Sequence, residues 1–284
     1  MDLYQMITDR MIAEMEQGII PWRKPWIGAG KAVSHTTGRA YSLLNQMLLG
    51  RPGEYLTFNQ CLQEGGHVRK GEKARMVVFW KWLDRQDEDT GEITRVPFLR
   101  YYSVFHVDQC EGITARHTAE NPHPAAVDET AEAIITAYVQ REGITLEYIA
   151  GDEAYYQPGR DRIVLPLKTQ FTETAELFGT AFHEMVHSTG HMKRLARLDG
   201  TAHYGSDQYS QEELIAEIGS AALVHHAGLE TDRSFRNSTA YVQNWLQALK
   251  NDKRFIVNAA GKADKAVDFI LTGKKITEIK EEAT

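Results

Sequence analysis

The chain has 284 residues, of which 42% are hydrophobic and 25% charged, with a formal net charge of −7. That length corresponds to one large domain or two ordinary ones, and the composition supports a packed core. No apolar run reaches membrane-spanning length, and the first residues lack the basic-then-apolar pattern of a secretory leader. Cys61 and Cys110 form no CxxC pair. The expectation is a cytoplasmic protein with reduced, structural thiols and no membrane partner.

The charge is unevenly spread. Residues 20 to 81 hold ten basic residues against three acids, Glu54, Glu64 and Glu72, so the remainder of the chain is strongly acidic. Such a split points to one polyanion-binding part and one acidic part.

In chain order, Leu3, Met6, Ile7, Ile12 and Met15 recur near helical spacing, and Gly18 stops that helix. The segment Ile20-Pro21-Trp22-Arg23-Lys24-Pro25-Trp26 is too proline-broken for a helix. Residues 28 to 38 read as loop, 41 to 49 as a short helix, 55 to 58 as a strand and 59 to 64 as a second short helix. Residues 77 to 82 and 100 to 107 form strands around an acidic hairpin loop at 84 to 91. The Pro- and His-rich stretch 116 to 127 reads as a linker. A helix capped by Asp128 follows, then short strands near 144–149, 153–157 and 162–165. A helix spans about 172 to 191, and another about 210 to 227 with Ser210 as cap and Glu213 completing a capping box. Helices over 238–250 and 262–271 end the chain. The expected architecture is α+β in two domains, 1–115 and 128–284.

The chemistry concentrates at His183-Glu184-Met185-Val186-His187. Residues four apart on a helix share a face, about 6 Å apart along the axis. Two imidazoles then reach one metal ion, and Glu184 addresses a water beside it as general base. A third ligand is usual. The metzincin spacing would put His at 193, where the chain has Lys193, so that class is excluded. His203 is one candidate. The stronger one is Glu213 on the following helix, with Glu217 four residues on in position to hold a ligand histidine from behind. The reverse assignment, Glu217 as ligand, stays open. The apolar neighbours Ala181, Phe182, Met185 and Val186 imply a buried site whose charges need a partner, and a divalent cation supplies one. Zinc is the default for such ligands, and manganese also accepts them. His203, Tyr204 and Tyr209 are unranked candidates for a second electrophile. No carboxylate cluster of a two-metal nuclease stands out.

Single strands are held by basic grooves and aromatic platforms. Trp22 and Trp26 interleave with Arg23 and Lys24; Arg69, Lys70 and Lys73 cluster around Gly66 and Gly71; Trp80 and Trp82 alternate with Lys81 on a strand. These residues are the expected DNA contacts. Trp80 and Trp82 equally suit core positions, since a strand's inner face takes large apolar groups; for Trp22 and Trp26, in an irregular basic segment, a core position is the lesser alternative.

The second half resembles the zincin-like peptidase domain of the ArdC antirestriction family, through Asp161-Arg162-Ile163-Val164-Leu165-Pro166, the 183–191 stretch with Arg194-Leu195, and Tyr209 to Gly219. The first half resembles that family's single-stranded-DNA-binding domain, also found on plasmid-encoded primases, through Pro21 to Trp26, Tyr41-Ser42-Leu43-Leu44-Asn45, Gly65 to Lys73 and Val104 to Gln109. The resemblance implies a role in protecting mobile-element DNA from host restriction. Two accounts follow: a DNA-tethered peptidase that cuts nearby proteins such as restriction enzymes, or a non-enzymatic shield that coats the strand.

Overall fold

The computed structural model describes residues 2–22, 30–86, 93–117, 124–198, 207–229 and 239–275; side chains at 81–86, 93–98, 124–127, 207–208 and 239–241 lie outside that description. Helix α1 (Leu3–Glu16) starts where the Asp2 carboxylate accepts from the Tyr4 amide, and buries Ile7, Met11 and Met15. Strand β1 (Ala32–Ser34) runs parallel to β2 (Gly53–Thr57), where the sequence had read loop; three residues without alternation carry too little pattern to be seen. Between them, α2 (Leu43–Leu49) closes on a left-handed Gly50. Helix α3 (Phe58–Gln63) begins with a reciprocal Thr57–Gln60 capping box. The long hairpin β4 (Arg75–Gln86) and β5 (Ile93–His106) completes a sheet of order β1-β2-β5-β4. A two-stranded ribbon pairs β3 (His67–Val68) with β6 (Cys110–Glu111).

Helix α4 (Pro124–Glu142) starts four residues before the expected Asp128 cap, and its first residue is a proline, which suits a helix start. The second sheet has the order β7 (Thr145–Ile149), β9 (Arg162–Pro166), β8 (Tyr155–Gln157); β7 is parallel and β8 antiparallel to β9. Helices α5 (Thr174–Thr189), α6 (Asp207–His226), α7 (Thr239–Asn251) and α8 (Phe255–Thr272) follow. Because α6 already begins at Asp207, Ser210 lies inside the helix and is not its cap.

The two sequence halves share one hydrophobic core. Ile7, Met11, Trp22, Leu44 and Leu48 from the first half belong to the same buried cluster as Phe182, Ile215, Trp245, Ala259 and Phe269. The Thr8 hydroxyl donates to the Lys253 carbonyl, and the Leu43 amide to Asp264. The beginning of the expected linker is also pinned: the Arg116 and His117 amides both donate to Glu54, whose other oxygen lies 2.5 Å from Nδ1 of the fully buried His35. A Pro- and His-rich composition marks irregular backbone, and here that backbone begins packed on the first half. Both cysteines are free and buried. Among the described residues no helix is long and apolar enough to cross a membrane.

Candidate metal centre

Helix α5 carries the two histidines because its apolar positions, Leu177, Phe178, Ala181, Phe182, Met185 and Val186, sink one side into the core and leave the imidazoles half-buried at its margin. The helix is stopped locally. The Ser188 and Thr189 hydroxyls bond back to the Met185 and Val186 carbonyls, and the Leu195, Arg197 and Leu198 amides return to Thr189 and Gly190. Helix α6 approaches closely at Gly219, where a Cβ would come within 2.8 Å of Val186 Cγ2. The Ser220 hydroxyl, which donates to the Gly179 carbonyl, locks the same crossing. This close approach lets carboxylates one to two turns earlier on α6 reach the imidazoles.

His183, His187 and Glu213 each place a ligand atom within 4.8 Å of the others. The two Nε2 atoms are 3.1 Å apart, and the Glu213 oxygens stand 3.5 Å from each of them. Donors about 2.0–2.1 Å from a tetrahedral ion lie roughly 3.3–3.4 Å from one another, so the spacing suits a single cation. The electrostatics agree. Burial alone would depress His183; the hydrogen bond to Glu213 and the charges of Glu184, Glu217 and Glu213 outweigh it and raise the group to about 9. Burial pushes Glu213 up, but His183, His187 and a hydrogen bond from Tyr209 hold it below its ordinary value. A nest of ionised carboxylates around two imidazoles calls for positive charge, which a divalent cation provides.

Glu217 Oε1 lies 4.0 Å from His183 Nδ1, behind the ring and away from the converging Nε2 atoms. Glu184 is buried at 7% exposure and, among the described residues, has no hydrogen-bond partner. The residue missed from sequence is Glu212. Its Oε1 is 3.3 Å from His187 Nδ1, and both its oxygens accept from Arg197, at 2.8 and 3.1 Å. Arg197 also donates to the Val186 carbonyl and the Thr189 hydroxyl. Burial would raise Glu212, yet the bonds from His187 and Arg197 bring it down to about 2. The sequence signal was its place beside Glu213: adjacent helical positions diverge by about 100°, which serves the two nitrogens of one ring.

The expected DNA contacts fare unevenly. Arg23, Lys24 and Trp26 lie outside the described residues, as do His203 and Tyr204, and the side chains of Lys81 and Trp82 do too. Trp22 is corrected. It is 1% exposed and packs edge-on against Trp245 with ring centroids 5.2 Å apart, so it presents no face to a base. Trp80 packs against the shared core beside Tyr4, with centroids 6.2 Å apart, because alternation puts it with Met76 and Val78 on the sheet's inner face. Arg69, Lys70 and Lys73 lie in the exposed β3–β4 turn as expected.

Known proteins resemble this chain over nearly its full length. Residues 1–105 match the N-terminal domain of anti-restriction factor ArdC, and residues 130–262 match the zincin-like metallopeptidase family. A DNA primase TraC of Escherichia coli is 33% identical over 99% of this chain, which spans only 28% of the primase. The antirestriction ArdC protein from the R388 plasmid is similar in two crystal structures. The metal-free one has a TM-score of 0.77 at 38% identity, over 95% of this chain and 97% of that one. The Mn(II)-bound one has a TM-score of 0.78 at 34% identity, over 98% and 100%. On both halves, this chain belongs to the ArdC antirestriction family.

Proposed function

We propose that this protein holds single-stranded DNA through its basic first half and hydrolyses peptide bonds at the His183–His187–Glu213 centre, shielding incoming plasmid DNA from restriction in the recipient cytoplasm. The observation that carries the reading is the convergence of three donors next to a buried, unengaged Glu184. Three protein ligands leave a coordination position for substrate, which a purely structural site would fill. Zinc and manganese both suit two imidazoles and a carboxylate. The Mn(II)-bound relative supports manganese.

His183, His187 and Glu213 would hold the cation, with Glu217 and Glu212 steadying the rings from behind. The cation would supply Lewis acidity, polarising a carbonyl and acidifying water. Glu184 accepts the proton of the attacking water on its carboxylate and returns it to the departing amine. Tyr209 holds Glu213 by a hydrogen bond, so its hydroxyl steadies a ligand. Strand β8 is an edge of the sheet that packs against α5, where an extended peptide could pair. Candidate substrates are proteins bound to the same DNA, restriction enzymes among them.

Glu184→Gln tests the reading. The variant is expected to take up Mn²⁺ or Zn²⁺ and shift single-stranded DNA in a gel as wild type does, while losing hydrolysis of a restriction enzyme mixed with that DNA. If it still protects a plasmid on transfer into a restricting host, the shield account replaces the peptidase account.

A further inference from the structure

The first half contains a cavity of about 610 Å³. It gathers cations from four separate elements: Arg10 of α1, Arg51 of the α2–β2 turn, Arg69 and Lys73 of the β3–β4 turn, and Arg75 of β4. Among the described residues only two carboxylates line it, Glu72 and Asp108. Of these cations, sequence reading had picked out Arg69 and Lys73 alone.

The cations are held in place. Arg10 and Arg75 each donate to a carbonyl at the end of α2, Leu48 and Leu49, at 2.5 and 2.6 Å. These bonds cap the negative end of that helix, and Arg10 also pairs through Nε with Glu14 at 3.5 Å, which leaves one terminal nitrogen of Arg10 and two nitrogens of Arg75 for a ligand. Arg51 pairs with Asp108, and Arg69 donates to the Asp108 carbonyl. Gln109 fastens the turn by donating to Glu72 and to the Lys73 carbonyl. Among the described residues the Lys73 ammonium has no protein partner. His106, in the same wall, is pushed down by burial and by Arg51. Planar forks already fixed by the fold, with an unpaired ammonium among them, are suited to phosphate oxygens. Among the described residues no stacking platform faces the cavity: of its lining rings, Tyr55 is 1% exposed with its hydroxyl donating to the Arg51 carbonyl, and His106 is 6% exposed. Bases would therefore point away, and only the backbone would be read.

We propose that this cavity seats consecutive phosphates of a single nucleic-acid strand, independently of sequence. The inference deepens the DNA-holding part of the proposed function and rests on it. The test uses the full chain and a fluorescent twenty-nucleotide oligothymidine, read by anisotropy over a salt series. Lys73→Gln alone, and Arg51→Gln with Lys73→Gln, are compared with Arg160→Gln plus Lys274→Gln, which changes as much charge on exposed residues outside the cavity. Thermal melts check that each variant folds. The cavity double variant is expected to lose about tenfold or more in affinity at low salt, and its salt slope to fall by about 1.4, roughly 0.7 for each cation removed; Lys73→Gln should show about half of both effects. An oligoguanosine-free mixed sequence should lose affinity equally. If wild type binds the oligonucleotide but the cavity variants match the control, the cavity assignment fails and the DNA reading stands. If wild type does not bind the oligonucleotide, both fail. If thymidine monophosphate binds as tightly as the oligonucleotide and displaces it, the cavity is a free-nucleotide site and the strand assignment is overturned.

Discussion

Replacing Glu212 by Gln should disturb two things at once, and both can be sized. Glu212 is 13% exposed at its side chain and accepts two bonds from Arg197, itself 8% exposed. The drop from 4.5 to about 2 corresponds to about 3 kcal/mol favouring the ionised, folded form. The sign follows: a depressed carboxyl contributes stability above its unfolded value, and that contribution is lost as pH falls from 4.5 toward 2. An independent route gives a similar figure, since breaking one side of a buried ion pair costs about 3–5 kcal/mol. The substitution also removes the charge that orients His187 through Nδ1, and losing such a partner weakens metal affinity about 10–100-fold. Urea denaturation at pH 7 should show the stability loss in the metal-free protein. Competition with a chromophoric chelator should show the weaker Mn²⁺ or Zn²⁺ binding. A variant within twofold of wild-type metal affinity would refute a positioning role for Glu212.

Gly219→Ala should destabilise by about 1–3 kcal/mol, because the new methyl meets fully buried Val186 at 2.8 Å. Adding Val186→Ala should restore most of the metal affinity lost with it; a Gly219→Ala protein that binds metal normally would mean the helix crossing does not set the site. His225 is lowered to about 4 by burial, with Lys31 and His226 adding repulsion. Its folded form stays neutral while the unfolded chain takes a proton below about 6.5, so stability should fall by up to about 2 kcal/mol between pH 7 and 5. Denaturation curves at the two pH values should converge for His225→Gln; an unchanged pH dependence in that variant would sink the attribution.

Elements with strong periodicity were legible from sequence. The span from about residue 172 to 191 read as a helix with Ala181, Phe182, Met185 and Val186 as apolar neighbours of the histidine pair, and the pair Glu213 and Glu217 was visible because residues four apart share a helix face. Strand β1 was not, being three residues long. The α6 start was misplaced because Ser210 and Glu213 imitate a capping box inside the helix. Glu212 was hidden because its role depends on Arg197, which lies in a loop whose path no local pattern encodes. Trp22 illustrates the hardest case. A tryptophan between prolines and cations satisfies the pattern of a stacking platform, and only the arrival of Trp245 from 223 residues away makes it a core residue.

The shared core bears on how the two activities would cooperate. Domains joined by small polar interfaces rock against each other by default, and a large apolar interface removes that freedom. Here α1 and α2 pack against α7 and α8, and Ile7, Met11 and Trp22 would be exposed by separating the halves. Rocking would cost that burial, at roughly 25 cal/mol for each Å² of apolar surface re-exposed. Any coupling between the proposed strand binding and the proposed hydrolysis would therefore act through proximity. A strand held on the first half, as proposed, would raise the local concentration of whatever protein sits on the same strand near the His183–His187–Glu213 centre, with no closure step needed. On this account DNA lowers the apparent KM for a DNA-bound protein substrate and leaves kcat for a free peptide unchanged, whereas a hinge mechanism would move both.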